Sequence, residues 1–376
     1  MKKTLDIIVD GIIFENQTHG GVSRIYAEIL PRICDLDPSV KITILTAGPV
    51  VQLLPAHAHI RHIAMPGLQR FIPARWFPNL KKDLRGIVLN NAPVSVNPDT
   101  IWHSTNFTLP SQWRGRNICT VYDMNYELFP TFFDHIAGAQ FRAYKQKCLQ
   151  QADAIICISK STADDLQTMY DIVSEKPVYV THLACSAGFR KLSEPDAYYH
   201  PPTQNAFLLF VGQRQGYKNF DNFLRTYALW QVGKDVDMVV VGSAWISSEE
   251  DLLKELGLEQ KVHLLTQASD EDLCLLYNLA LAFVYPSLYE GFGLPLLEAM
   301  SCGCPIVASR ISSSIEVARD CPIYFEPAQL NDLLRALDLV KGEGRNSDRV
   351  QRGLRLVKEY SWDKTAARTL AAYRSL

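Results

Sequence analysis

Short apolar runs alternate with longer segments of helical period along nearly the whole chain. The runs are rich in β-branched residues and continuously apolar, which is typical of strands buried on both faces of a parallel sheet. Strand and helix repeated in this way predict an α/β fold with doubly wound parallel sheets. The predicted strands lie at residues 5–9, 40–46, 60–65, 118–122, 154–158 and 178–181 in a first series, and at 206–211, 237–241, 262–265, 281–285, 305–308 and 323–325 in a second.

A polar, proline-rich segment separates the two series. Residues 192–205 (LSEPDAYYHPPTQN) have no helical period and predict an interdomain linker. We therefore expect two tandem Rossmann-like domains, at residues 1–195 and 205–359. Because such sheets bind ligands at the carboxyl ends of their strands, we also expect an interdomain cleft with one wall from each domain.

Composition narrows the class of protein. With 47% hydrophobic and 21% charged residues, the chain is not intrinsically disordered, and a net charge of −2 argues against a nucleic-acid partner. The apolar run near the amino terminus is too short for a signal peptide, and no window approaches the roughly 20 apolar residues of a membrane span. The nine cysteines form no CxxC pair, which favours reduced thiols and a cytoplasmic location.

The most informative segment is residues 283–309, FVYPSLYEGFGLPLLEAMSCGCPIVAS. A predicted strand ends, the loop 290–293 (EGFG) follows, and a helix is predicted over 294–301. The two glycines let the backbone approach a ligand closely, and free N–H groups at a helix start attract anions. Glu290 in the loop and Glu298 in the helix place carboxylates on both sides of this position. The pattern suits a ligand with hydroxyls on both sides of a diphosphate, such as a nucleotide sugar.

This segment closely resembles the Glu-x7-Glu signature of retaining glycosyltransferases of family 4 (glycosyl transferases group 1), which have the two-domain GT-B fold. The family form P-S-x-x-E-G-F-G-L-P-x-x-E-A-M-A-x-G-x-P-V is matched almost throughout, with Ser301 in place of the usual alanine. The resemblance implies that Glu298 holds the ribose hydroxyls and Glu290 a donor-sugar hydroxyl. It also implies a set of donor-binding backbone positions, which are Gly291, Phe292, Gly293 and Leu294.

A second element, FVGQRQGYKNFDNFL at residues 210–224, combines a strand, a glycine and two cations ahead of a helix. A departing diphosphate that no metal neutralises needs fixed positive charge in a water-poor cleft. The V-G-x-R-x3-K-N form is similar to that of a mannosyltransferase-like subgroup of the family. The resemblance thus implies that Gly212, Arg214 and Lys218 bind the donor and that the two cations are catalytic together with Glu290. Two solvated loop cations are the alternative interpretation.

Near the amino terminus, Gly20 and Gly21 open a predicted helix after the first strand. Two glycines at a helix start form an approach site for a phosphate or sugar, although a tight turn explains them equally well. No G-x-G-x-x-G follows the strand, which weighs against an NAD enzyme. The family places a similar loop against the donor phosphates, so the resemblance implies that both glycines contact the donor.

Three polar residues follow predicted strands of the first domain and are candidates for the acceptor side: His103, Asp123 and Ser159. Many family members carry His-Asp where this chain has Tyr122-Asp123, so the family's catalytic histidine is absent there. His103 is then the candidate catalytic histidine. A hydrogen-bonded structural histidine and, for Ser159, a helix cap are the alternatives.

Three DxD triplets raise the question of a metal site, because a different glycosyltransferase architecture binds a divalent metal with this motif. None follows the carboxyl end of a strand, so we interpret all three as caps or solvated turns and expect a metal-independent protein without a cofactor. The triplets are Asp35/Asp37, Asp235/Asp237 and Asp270/Asp272.

Two further segments bear on partners and domain organisation. Residues 70–85 interleave basic and aromatic residues, which suits either peripheral contact with the inner face of a membrane or a loop over the acceptor cleft. The segment that starts YSWDK at residue 360 resembles the family's last helix, which packs back across the first domain. We therefore assign residues 360–376 to the first domain.

The resulting hypothesis is a retaining hexosyltransferase of cell-surface polysaccharide biosynthesis, such as that of O-antigen and lipopolysaccharide. The resemblance to O-antigen mannosyltransferases implies mannose from GDP-mannose as the transferred sugar and a saccharide or lipid-linked saccharide as the acceptor. The alternatives are a nucleotide-sugar epimerase of the same fold and a non-catalytic nucleotide-sugar-binding module. Epimerases lack the Glu-x7-Glu loop, and the intact charged residues argue against a silent module.

Overall fold

The computed structural model describes residues 4–16, 21–65, 92–110, 112–193, 201–214 and 216–376. The chain divides into two compact units. The first comprises Met1–Leu183 and Ser361–Leu376, and the second comprises Ala184–Tyr360. Within the described residues, no helix combines the length and apolarity needed to cross a membrane.

The first unit is built on a seven-stranded sheet in which all neighbouring strands pair in parallel. In chain order its strands are β1 Leu5–Asp10, β2 Val40–Thr46, β3 Ile60–Ala64, β4 Ile101–Ser104, β5 Arg116–Val121, β6 Ala154–Cys157 and β7 Val178–Val180. They lie side by side in the order β3-β2-β1-β4-β5-β6-β7. The chain order reverses between β1 and β4, the topological switch point of a doubly wound sheet.

The second unit repeats this plan with six parallel strands in the order β10-β9-β8-β11-β12-β13. Its switch point lies between β8 and β11, whose residues Ala282 and Leu208 are paired. In chain order the strands are β8 Ala206–Val211, β9 Val236–Val241, β10 Val262–Leu265, β11 Ala282–Tyr285, β12 Ile306–Ser309 and β13 Ile323–Phe325.

Helices cover the faces of both sheets and bury their apolar sides. In the first unit they include α1 Ile12–Asn16, α2 Gly21–Leu36, α3 Asn125–Leu128, α4 His135–Gln151 and α5 Lys160–Met169. In the second they are α6 Phe220–Leu229, α7 Ser247–Leu256, α8 Asp270–Leu279, α9 Leu294–Ser301, α10 Ser312–Ala318, α11 Leu330–Glu343 and α12 Asp348–Leu356. Short 3-10 turns lie at Pro130–Phe132, Asp171–Val173, Gly216–Lys218, Gln231–Gly233 and Val357–Glu359.

The last helix, α13 Trp362–Arg374, belongs to the first unit. Trp362 and Tyr373 are buried, and the guanidinium of Arg374 pairs with the carboxylate of Asp37 at 2.7 Å. A hydrogen bond from Ser39 and the pairing with Arg374 hold the pKa of Asp37 well below its usual range, although burial opposes this.

All twelve predicted strands are present, and most are buried on both faces, whereas the edge strand β3 has exposed residues. The residues of β9, for example, are all buried. A thirteenth strand, β4, contains only two apolar residues, Ile101 and Trp102, and includes His103 rather than preceding it.

The division between the units lies nearer the amino terminus than the predicted linker 192–205. Residues between Leu183 and the predicted boundary are hydrogen-bonded within the second unit: the Leu192 N–H donates to Asn278 Oδ1 at 2.9 Å, and Asn278 Nδ2 donates to the Arg190 carbonyl at 2.9 Å. Part of the predicted linker, residues 194–200, lies outside the described residues.

Candidate active site

The candidate site lies at the switch point of the second sheet. Strands β8 and β11 are neighbours there, and each is followed by a loop that carries residues singled out from the sequence. Residues 212–219 follow β8, and residues 286–293 follow β11. Open α/β sheets bind ligands outside the carboxyl ends of the strands at this position.

Lys218 and Glu290 form an ion pair between the two loops. Lys218 Nζ lies 2.6 Å from Glu290 Oε1, and the Ser287 hydroxyl donates to the same oxygen at 2.6 Å. The side chains of Lys218 and Glu290 are 21% and 12% exposed. An ammonium carries three N–H donors, so Lys218 can hold Glu290 and still donate to an anionic ligand.

A buried tyrosine supports Glu290 from within the sheet. Tyr285, the last residue of β11, is hydrogen-bonded to the Glu290 carboxylate. Burial, and then the neighbouring charge of Glu290, raise the pKa of Tyr285 well above its usual value. Its hydroxyl therefore stays protonated and remains a donor to the carboxylate.

The second carboxylate, Glu298, has the same kind of support. It lies in α9, whose bounds agree with the predicted helix, and its Oε2 accepts a hydrogen bond from the Tyr277 hydroxyl at 3.1 Å. Burial, and then the charge of Glu298, raise the pKa of Tyr277 well above its usual value. Neither tyrosine was predicted from the sequence as part of the site. For Tyr285 the sequence does carry a signal, which is a polar hydroxyl at the end of a buried strand.

The glycine-rich loop is shaped by its entry into α9. Gly293 has a φ of 118°, and a Cβ there would lie 3.0 Å from Leu296 Cδ1. A side chain at this position would be strained in its backbone and tight in its packing. Phe292 is buried and its ring packs edge-on against that of Tyr360, with 6.1 Å between centroids. Gly291 and Leu294 flank these two residues at the start of the helix.

Arg214 has other partners than those predicted. Its guanidinium forms a two-pronged pair with Glu249, with Nε–Oε1 at 3.0 Å and Nη2–Oε2 at 2.8 Å. It also donates to the carbonyls of Ser243 and Ala244 and stacks on Trp245, 4.4 Å from the ring centroid. Arg214 is 3% exposed.

In this arrangement Arg214 donates to a buried carboxylate and two carbonyls, and its predicted contact with a diphosphate stays a prediction. The strand-end glycine before it, Gly212, has a φ of 128°, which favours glycine.

His103 is also placed differently from the prediction. Its ring is fully buried in the first unit, with Nδ1 2.6 Å from the Tyr373 hydroxyl and Nε2 2.8 Å from Thr120 Oγ1. Burial lowers the pKa of His103 to about 3. The geometry of His103 is that of the structural alternative, a hydrogen-bonded buried histidine, and its assignment as a catalytic, acceptor-side residue stays a prediction.

Ser159 is a helix cap. It is buried, and its hydroxyl accepts a hydrogen bond from the Thr162 N–H at 2.9 Å at the start of α5. This geometry matches the capping alternative, because the side chain is turned to the helix backbone and not to solvent.

Asp123 follows β5 and remains half-buried, with Oδ1 accepting from the Asn125 N–H at 3.1 Å. Its carbonyl accepts from Lys145 Nζ at 2.9 Å, and the same ammonium pairs with Glu127 at 3.0 Å. Lys145 is 1% exposed, so this buried pair fixes the loop after β5.

Two predicted features fall outside the described residues: Gly20 and the segment 70–85. Gly21 is described and begins α2, as the pattern indicated.

At least one aspartate of each DxD triplet serves local structure. Asp35 pairs with His57 at 3.2 Å, Asp237 with Lys261 at 3.0 Å, and Asp272 forms a capping box with Ser269 at the start of α8. Among the residues that the structure describes, no cluster of three or more histidine, cysteine or carboxylate side chains could hold a metal ion.

Comparisons with known proteins relate this chain to one family. A family model described as "Glycosyl transferases group 1" matches residues 197–351. The chain is 29% identical over 287 residues to O-antigen chain mannosyltransferase B of Escherichia coli. The matched segment covers 74% of this chain and 75% of the relative. The chain is 26% identical over 260 residues to O-antigen chain mannosyltransferase RfbU of Salmonella typhimurium, and this match covers 69% of each.

Among solved structures, sucrose-phosphate synthase of Thermosynechococcus elongatus is similar, with a TM-score of 0.79 at 18% identity over 99% of this chain and 98% of that one. At such low identity the likeness establishes the fold alone. The chain has the GT-B fold, with two Rossmann-like domains on parallel sheets. Its residues 197–351 form a Glycosyl transferases group 1 domain, and the protein is therefore a glycosyltransferase.

Proposed function

We propose that this glycosyltransferase is a retaining, metal-independent mannosyltransferase that uses GDP-mannose as its donor. The observation that carries the proposal is the arrangement of Lys218, Glu290 and Glu298 around one glycine-rich helix start at the switch point of the second sheet. The choice of mannose is supported by the two relatives, both of which are O-antigen mannosyltransferases.

The residues of the second unit suit the parts of a nucleotide sugar. Glu298 accepts hydrogen bonds from the ribose hydroxyls and Glu290 from a hydroxyl of the sugar. The backbone N–H groups at residues 291–294 and the ammonium of Lys218 contact the diphosphate, where a helix start and a fixed cation both favour negative charge.

The transfer step needs no nucleophile from the protein. The acceptor hydroxyl attacks C1 of the sugar from the face that the diphosphate leaves, so the new C1–O bond keeps the configuration of the old one. The C1–O bond to the phosphate breaks, and the acceptor proton passes to the departing phosphate oxygen. Lys218 stabilises the negative charge that develops on the diphosphate, and such a donor is worth on the order of 2.7–4 kcal/mol.

The acceptor is a saccharide or a lipid-linked saccharide in the synthesis of a cell-surface polysaccharide. The first unit supplies the acceptor site in this proposal, because the donor residues other than Gly20 and Gly21 lie in the second. A lipid-linked acceptor would bring the protein into peripheral contact with the cytoplasmic face of the membrane. The half-buried Asp123 follows a strand of the first sheet and is the acceptor-side residue that this proposal retains.

A donor panel tests the proposal. The protein is incubated with GDP-mannose, GDP-fucose, UDP-glucose and UDP-galactose, with and without EDTA, and nucleotide release is measured. GDP release from GDP-mannose that EDTA leaves unchanged is the expected result. Water is the acceptor in this assay, and NMR of the released mannose, recorded before its anomers interconvert, should show the α configuration of the donor. Release from a UDP-sugar alone refutes the donor, suppression by EDTA refutes metal independence, and a β product refutes retention.

A matched pair of lysine variants tests the role of the site. Lys218→Met should lower kcat by roughly 100- to 1,000-fold. Lys261→Met is the control, because Lys261 also pairs with a carboxylate, Asp237, but at the amino end of β9. Near-full turnover by the Lys218 variant would show that another group neutralises the diphosphate.

A further inference from the structure

The residue after Lys218 has an unusual backbone and a fully engaged side chain. Asn219 has φ 58° and ψ 28°, in the left-handed region, and the residue is 7% exposed. Glycine and asparagine are the residues that adopt this conformation most readily. This geometry gives a physical reason for Asn219 directly after the lysine and before helix α6.

The Asn219 amide joins three loops at one edge of the sheet. Its Nδ2 donates to the carbonyl of Pro286, after β11, at 3.1 Å and to the carbonyl of Pro327, after β13, at 3.3 Å. Its Oδ1 accepts from Asn222 Nδ2 at 2.6 Å. One side chain thus ties the loop that follows β8 to the loops that follow β11 and β13.

Two of these three loops, those after β8 and β11, carry the ion pair of Lys218 and Glu290. Lys218 comes from the loop after β8, and its partner Glu290 from the loop after β11. A backbone hydrogen bond from the Leu288 N–H to the Tyr217 carbonyl, at 2.7 Å, links these loops on the other side of the lysine. The position of Nζ therefore depends on anchors at residues 217 and 219, directly before and after the lysine.

We infer that Asn219 is a positioning residue that sets the ammonium of Lys218 for the departing diphosphate and does not itself contact the donor. The inference rests on the proposed function for the identity of the ligand, but the placement of Lys218 by Asn219 is a property of the protein alone. A displacement of about 1 Å at a reacting group can cost about 100-fold in rate. Loss of the amide is therefore expected to lower kcat by roughly 10- to 100-fold.

Two variants separate the two features of Asn219. Asn219→Gly keeps the left-handed backbone and removes the amide. Asn219→Asp keeps the shape and the contact with Asn222 but turns an oxygen toward the two proline carbonyls. Asn205→Ala is the control, because the Asn205 amide donates to Asp237 at the opposite, amino end of the strands.

The first readout does not depend on activity. The protein is labelled by reductive methylation, and the rate at Lys218 relative to Lys254, an exposed lysine of α7, is measured by mass spectrometry. Loss of the ion pair with Glu290 should raise this ratio about two- to fivefold in the Asn219 variants and leave it unchanged in Asn205→Ala. An unchanged ratio in both Asn219 variants overturns the inference.

The second readout is a double-variant cycle on GDP-mannose turnover. If Asn219 acts through Lys218, Asn219→Gly lowers kcat in the wild-type background and has no further effect beside Lys218→Met. An equal loss in both backgrounds would identify a general structural role and overturn the inference. Absence of turnover by the wild-type protein on every donor would refute the proposed function, and the labelling ratio would then decide the role of Asn219 by itself.

Discussion

The buried histidine of the first unit offers a test of the structure that needs no substrate. His103 is enclosed by hydroxyl groups, and burial lowers its pKa to about 3, whereas an exposed histidine titrates near 6.5. Between these values the unfolded chain binds a proton at this ring and the folded chain does not. The buried neutral His103 therefore lowers the free energy of unfolding only below about pH 6.5, and the protein loses stability as the pH falls through this range.

The magnitude follows from the two pKa values, since one unit corresponds to 1.36 kcal/mol. Protonation of His103 in the unfolded chain lowers the free energy of unfolding by less than about 0.1 kcal/mol at pH 7.5 and by about 2 kcal/mol at pH 5. His103→Gln keeps a polar side chain that cannot titrate. The difference in unfolding free energy between wild type and variant should thus change by about 2 kcal/mol from pH 7.5 to pH 5.

Two measurements check this result. Urea unfolding of wild type and His103→Gln at both pH values gives the change in free energy, with His135→Gln, at an exposed position, as the control. NMR of the 15N-labelled histidines should show one ring, absent from the His103 variant, that stays neutral down to about pH 4. A His103 ring that titrates near 6.5 would refute its burial and reopen an acceptor-side role.

Two further predictions concern the second unit. Arg214→Met should lower the free energy of unfolding by about 3–5 kcal/mol, because it leaves the Glu249 carboxylate buried without its partner. The double variant with Glu249→Met should recover most of this loss in urea unfolding, since a buried ion pair is often replaceable by apolar side chains. Tyr285→Phe removes a hydrogen bond to the charged Glu290, so kcat/KM for the donor should fall by about tenfold or more in steady-state assays.

Each of these predictions has an outcome that contradicts it. If the double methionine variant is as unstable as the single one, the pair with Glu249 is not what holds Arg214. For the tyrosine, Tyr227→Phe is the control, because its buried hydroxyl donates to the Val236 carbonyl at 2.6 Å. Equal kinetic losses in Tyr285→Phe and Tyr227→Phe would mean that any buried hydroxyl matters as much, and the specific support of Glu290 would be refuted.

The local features of this protein follow from its sequence. Continuous apolar runs of three to seven residues predict parallel strands because both faces of such strands must be buried. The bounds of α9 follow from a glycine and a proline that determine where a helix can start, and the EGFGLP segment thereby identifies the glycine-rich loop. These features depend on neighbours within a few positions, so they can be predicted without the tertiary structure.

The partners of the charged and polar side chains were decided by the tertiary structure. Lys218 contacts a carboxylate 72 positions away, and Arg214 contacts Glu249, 35 positions away. His103 is enclosed by a tyrosine 270 positions away, on a helix that joins the first unit from the end of the chain. A strand end determines which loop a side chain belongs to, but only the packing of distant segments determines whether that side chain is exposed, paired or buried.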